Sequence, residues 1–215
     1  MQGLIVVGAC GNAAEMIEAA IATKRADLVP QGVLDDKPEL AGCSYHGIPV
    51  LGPLEAAQQM ATEHSRLCFL LAVGSVHTYA RRLNLIAALH LSEARFAILV
   101  HPMAWVSPTA NLEPGVFVGA GCAVGPKARI GAHALLLAGC VLGHDCHIGE
   151  GSVLASSVAL AGAVEVGRET YLGMACRVRE NVRVGAGALV GMGALVLGDV
   201  APGTRVIGCP AKPRG

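Results

Sequence analysis

A chain of 215 residues, 53% hydrophobic and 15% charged, is too apolar to be disordered and long enough for one or two packed domains. Its sixteen basic and sixteen acidic residues cancel without forming a basic run, so neither nucleic acid nor an anionic membrane is expected as a partner. The apolar start is cut by Gly8, Gly11, Asn12 and Glu15 with no positively charged segment before it, so neither a signal peptide nor a membrane span is expected.

Residues 4–7 (Leu-Ile-Val-Val) read as a short buried strand, residues 8–12 as a glycine-bearing turn, and residues 13–24 as an amphipathic helix. A second strand, residues 32–36, ends in Asp35 and Asp36. A third runs over 69–74, a helix over about 76–90, and a fourth strand over 96–100. Strands alternating with helices imply a small parallel α/β sheet of Rossmann type over residues 1–100, with ligands at the carboxyl ends of its strands. Gly8 to Asn12, Asp35, Asp36 and Gly74 fall there. The turn reads GxxG, not the full GxGxxG, and suits a plain strand-to-helix turn as well as a nucleotide site. A carboxylate after the second strand favours the nucleotide, since it can accept hydrogen bonds from a ribose hydroxyl or a base.

From Val106 to Val196 every sixth residue is Val, Leu or Ile, sixteen times without a break. The fourth residue after each is Ala, Val, Cys, Ser or Thr, and the residue directly after the aliphatic is often Gly, as at Gly143 and Gly173. Six is a multiple of two and not of 3.6, so the pattern keeps strand positions pointing inward and cannot keep one face of a helix apolar. Each hexad becomes a short strand and a turn of a parallel β-solenoid, with the aliphatic inside, the small residue where the chain turns, and Gly supplying freedom at the corners. Of the eight cysteines, Cys122, Cys140, Cys146 and Cys176 occupy the small slot, and none forms a CxxC pair. They read as buried filler in a reducing cytoplasm, not as a zinc site. After Val196 the rhythm fails at Pro202, and a short basic tail is placed to cap the last coil.

Ionisable groups are scarce in the repeat. His144 follows Leu142-Gly143 at a coil corner, beside Asp145, and an imidazole next to a carboxylate is the minimum equipment of a general base. A solvated corner reads the same way. Three elements, His133, His144 and His147, also admit a metal-dependent hydratase similar to γ-type carbonic anhydrases.

The motifs GxxGNAxE at 8–15, LDD at 34–36, AVG at 72–74, His101-Pro102, VLGHDCHIG at 141–149, LAGAVEVG at 160–167 and GCPAK at 208–212 together resemble the bacterial sialic acid O-acetyltransferase family of hexapeptide-repeat acyltransferases. That family includes N-acetyltransferases of nucleotide-linked 4-amino-4,6-dideoxy sugars. The resemblance implies an α/β Rossmann-like domain over 1–100 followed by an all-β left-handed parallel β-helix over 101–215. It implies a cytoplasmic homotrimer using acetyl-CoA and no metal, with His144 as base and Asp145 assisting. Nucleotide-sugar contacts would fall on Cys10, Gly11, Asn12, Asp35, Asp36 and Gly74. Acetyl-CoA would lie along Gly173 and Gly191, where a missing side chain admits the pantetheine arm. The chain departs from the family at Asn12, where His is usual, at Leu137-Ala138, where Asn-Thr is common, and at Val153, where some members carry His. O-acetylation of a sialic acid type sugar and a non-catalytic trimeric nucleotide-binding scaffold are the alternative readings.

Overall fold

The computed structural model describes residues 2–214, so positions 1 and 215 of the two expected domains lie outside the described residues. The N-terminal unit contains strands β1 (Gln2–Val7), β2 (Pro30–Leu34), β3 (Ser44–Tyr45), β4 (Ile48–Gly52) and β5 (Arg66–Leu71), with helices α1 (Gly11–Thr23), α2 (Ala56–Glu63) and α3 (Arg82–Ala88). The sheet order is β3-β4-β2-β1-β5, with β3 antiparallel to β4 and every other pairing parallel. The run Leu4 to Val7 is fully buried, which accounts for its unbroken aliphatic character.

The expected helix over 76–90 is shorter. Ser75 and Thr78 bond to each other and to the backbone of their own loop, and that local turn competes with helix until a 3-10 turn, Tyr79–Arg81, opens α3. The expected strand over 96–100 also changes role. Phe96 makes one bridge to Phe69, while Leu99–Val100 pairs with Phe117–Val118 and so starts the repeat.

From there the chain winds in coils of eighteen residues. Val106, Val124, Leu142, Leu160, Val178 and Val196 stack in parallel register, and the other two faces repeat the pattern. Each strand from Leu99 to Val196 has only two residues, one outward and one inward. The inward aliphatics from Val118 to Val196 are at most 3% exposed, and the small residues four places on are buried with them in one core. The cysteines of that slot are free thiols. Cys122, Cys140 and Cys146 donate to carbonyls of the next coil, and burial pushes the Cys176 thiol up to about 12.

Glycine acts differently from the sequence expectation. The left-handed corner residue stands three places after the aliphatic, as at Asp145 (φ 57°). Gly143, directly after the aliphatic, is needed for closeness: a Cβ there would lie 2.8 Å from the backbone carbon of Ala161 in the next coil. At the far end Arg205–Ile207 pairs with Leu189–Val190, and Lys212–Pro213 folds back on it, so the tail caps the solenoid.

The prism presents three faces. The covered face, with Phe117, Leu135 and Val153, packs into the core of the N-terminal unit. Val153 is therefore a buried seam residue, in register between Leu135 and Tyr171. An apolar face carries Trp105, Ala123, Val141 and Ala159 in register, with Trp105 56% and Val141 49% exposed. A polar face carries Asn111, Arg129, His147, Glu165 and Arg183. Among the described residues no helix is long and apolar enough to cross a membrane.

His133 lies in the seam between the units, 1% exposed, edge-on to Phe96, with Glu93 Oε2 3.3 Å from Nε2. Burial, and secondarily Arg82, hold its imidazole below the usual histidine range against the pull of Glu93 and Glu150. Folding thus favours the neutral ring. Its stability contribution is full above the unfolded value of 6.5 and is lost as pH falls from there toward the lower folded value. Thermal midpoints measured from about pH 7 down to about pH 5 should fall for the wild type and flatten in His133→Asn, a residue that tolerates the left-handed backbone at this position (φ 59°).

Candidate active site

His144 and Asp145 form the turn between the apolar and polar faces. Asp145 adopts the left-handed conformation and its N–H donates to Pro126 O (2.8 Å) in the preceding coil, which turns its carboxylate back on its neighbour. His144 Nδ1 and Asp145 Oδ2 are 2.7 Å apart, with the two side chains 68% and 51% exposed. An ionised carboxylate there accepts a hydrogen bond from Nδ1–H, which keeps the ring proton on Nδ1 and leaves Nε2 as the acceptor. The ring lies over Gly162, one coil on: a Cβ at Gly162 would fall 2.6 Å from Nε2 and 2.7 Å from Cε1.

The residues expected at the nucleotide gather elsewhere. Cys10, Gly11, Asn12, Asp35 and Gly74 line a cavity of about 450 Å³ at the carboxyl ends of β1, β2 and β5. Asp35 ties the loops together, accepting from Ala9 N (2.6 Å) and Lys37 N (2.9 Å), and Asn12 Nδ2 donates to Ala72 O (2.9 Å). Gly74 is required sterically, since a Cβ would meet Leu135 at 2.9 Å and Arg82 Nη1 at 3.0 Å. Asp36 lies outside this cavity. It accepts from Leu54 N (2.8 Å) and lines a smaller hollow of about 150 Å³ next door. Lys37, Ser75, Thr78 and Tyr171, which no motif marks, also line the larger cavity, and so does Leu137, one of the family departures. Thr78 and Tyr171 are positioned by a loop turn and a coil register, which no local motif announces.

Leu137 and Tyr171 also line an apolar groove of about 250 Å³ that contains Gly173 and Gly191. Packing within the chain accounts for both glycines: a Cβ on Gly173 would meet Met192 N at 2.6 Å, and one on Gly191 would meet Ile207 Cγ2 at 2.7 Å. Groove and cavity lie at the corner between the covered and apolar faces, one face away from His144. His133 is shut in the seam, so it does not meet His144 and His147, and among the described residues no group of three metal-ligating side chains converges.

Over its full length the chain is similar to a perosamine N-acetyltransferase from Caulobacter crescentus, solved as a histidine-to-asparagine variant in complex with CoA and GDP-perosamine. The TM-score is 0.89 at 30% identity, covering 100% of this chain and 98% of that one. The chain belongs to the hexapeptide-repeat nucleotide-amino-sugar N-acetyltransferases. This N-acetyltransferase is also similar to the acetyltransferase domain of PglB from Neisseria gonorrhoeae FA1090 in complex with acetyl coenzyme A, with a TM-score of 0.87, 28% identity and 99% of each chain covered. It shares its fold with WeeI from Acinetobacter baumannii AYE, at 20% identity, a TM-score of 0.84 and 100% of both chains. A family model of the GMPPB C-terminal domain matches residues 95–190. A comparison with curated proteins finds no match.

Proposed function

We propose that this chain transfers the acetyl group of acetyl-CoA to the amine of a nucleotide-linked 4-amino-4,6-dideoxy sugar by direct attack, with His144 as general base. The observation that carries the reading is the 2.7 Å His144–Asp145 pair with Nε2 unencumbered, on a fold that follows a nucleotide-amino-sugar N-acetyltransferase end to end. His144 Nε2 removes the proton as the amine attacks the thioester carbonyl, and Asp145 stabilises the imidazolium through Nδ1–H. Nε2 then returns the proton to the departing thiolate, so no covalent enzyme intermediate is needed. That the Caulobacter relative was solved with a histidine replaced, by asparagine and by alanine, fits a histidine base.

In this reading residues 1–100 are a Rossmann-like domain for the nucleotide sugar and residues 101–215 a left-handed β-helix. The parallel strand order β4-β2-β1-β5, which is 3-2-1-4 when only parallel strands are numbered, supports the first assignment. The site spans two copies of a homotrimer. With the apolar faces of three copies turned to a common axis, Trp105 and Val141 are buried, and the His144 corner of one copy meets the cavity and groove of the next. Acetyl-CoA takes the apolar groove past Gly173 and Gly191. Both substrates are cytoplasmic metabolites, and the enzyme works in that compartment.

Thiol release from acetyl-CoA, measured against UDP-, GDP- and dTDP-linked 4-amino sugars, is expected to select one of them. Turnover on sialic acids alone would move the assignment to O-acetylation, and silence together with absent coenzyme binding would leave a scaffold. Within the active enzyme, Gly162→Ala should lower kcat about 10–100-fold with little change in the KM for acetyl-CoA or in thermal stability. The added methyl displaces the imidazole, while the backbone at Gly162 lies outside the left-handed region and accepts alanine.

A further inference from the structure

Beside the His144 corner, on the polar face, runs a groove of about 400 Å³, of whose lining the proposed chemistry uses Asp145 alone. Its two carboxylates are already matched: Asp145 with His144, and Glu165 with Arg183 at 3.1 Å. Its two fixed cations are not. Lys127 and Arg129 make no ion pair among the described residues. Lys127 occupies the left-handed corner position eighteen residues before Asp145, and Arg129 pairs in register with His147. The nucleotide cavity has the opposite shortage, with Lys37 as its one cation set against Asp35, and the apolar groove is lined by no charged residue. A nucleoside diphosphate sugar brings two negative charges into this space, and enclosing them without cations is costly.

Resting on the trimeric N-acetyltransferase reading above, we infer that Lys127 and Arg129 of one copy bind the diphosphate of the nucleotide sugar held in the cavity of its neighbour. With the apolar faces inward, the polar face of one copy borders the cleft opposite the N-terminal unit of the next. The diphosphate of the sugar lies one sugar ring from the amine that His144 deprotonates, and Lys127 and Arg129 lie one coil from the His144 corner, about 4.8 Å. The coenzyme's own diphosphate is a whole pantetheine arm away from its thioester and fits that spacing poorly. The pair therefore reads the nucleotide substrate and joins it to the copy that supplies the base.

Steady-state kinetics on Lys127→Ala, Arg129→Ala and Arg129→Lys test this, with Arg66→Ala, at the amino end of β5, as a control for lost surface charge. Each alanine variant should raise the KM for the nucleotide sugar about tenfold and leave the KM for acetyl-CoA unmoved, and Arg129→Lys should recover most of the loss. The rise of that KM with ionic strength should be shallower in the variants. An unchanged KM for the nucleotide sugar overturns the inference and leaves the enzyme reading standing. A shift in the KM for acetyl-CoA instead overturns it in favour of a coenzyme phosphate site. A wild type without turnover on any nucleotide sugar overturns both.

Discussion

Replacing His144 by alanine is expected to lower kcat by about 10²–10⁴ while the protein stays folded and assembled. The side chain is 68% exposed and packs over a glycine, so its removal takes nothing from the core, and circular dichroism and gel filtration should match the wild type. Asp145→Asn should also be slow. The left-handed corner tolerates asparagine, but its amide can offer Nδ1 a hydrogen in place of an acceptor and so favour the wrong tautomer. Co-assembly makes the test sharper. Gly11 lines the cavity proposed for the nucleotide and a Cβ there meets nothing within 4 Å, so the backbone admits a side chain and Gly11→Trp is expected to fill the cavity. Each variant alone should be inactive. On the proposed homotrimer, mixed assemblies of His144→Ala and Gly11→Trp copies in equal amounts should recover about a quarter of wild-type turnover, because one interface in four then joins an intact base to an intact cavity. A site contained in one chain would give no recovery.

The hexad rhythm was legible because the coil length and the side-chain alternation are both local: eighteen residues return the chain to the same face, and each aliphatic from Val118 onward is buried as its spacing demands. The His144–Asp145 pair was legible for the same reason, both members lying in one turn. What was hidden depends on contacts across the fold. The segment Ser44 to Glu63 carries no strong period, so β3, β4 and α2 are not legible there. The run 96–100 reads as a strand of the N-terminal sheet, whereas Leu99–Val100 pairs with Phe117–Val118, because an apolar run does not announce its partner. Gly143 and Gly173 read as flexible corners or coenzyme clearance, whereas the backbone of the next coil excludes their Cβ. Val153 departs from the family pattern and proves to be part of the buried seam, so its apolar character follows from packing with Leu135 and Tyr171.

Arg82→Ala is expected to destabilise the protein by roughly 2–5 kcal/mol, more than any other single replacement considered. The residue is fully buried, with no carboxylate paired to it among the described residues. Nη1 donates to Val73 O and Nη2 to His133 O at 2.6 Å, while Nε has no partner. One side chain thus joins the loop after β5 to the solenoid. Burial pushes its guanidinium down to about 9, still above neutral pH, so a charged group is held in the seam by carbonyls alone. Alanine strands both carbonyls and leaves a void. Arg82→Met separates those effects, since it fills the space and strands the carbonyls only. At about 2–4 °C per kcal/mol for a chain of this size, thermal unfolding should resolve the two variants. Val73 precedes Gly74 at the cavity wall, so, with the nucleotide sugar in that cavity as proposed, Arg82→Met should also raise the KM for the nucleotide sugar while sparing that for acetyl-CoA. A Met variant as stable as the wild type, yet poor in nucleotide-sugar binding, would mean that the buried charge is retained for the shape of the cavity and not for the strength of the seam.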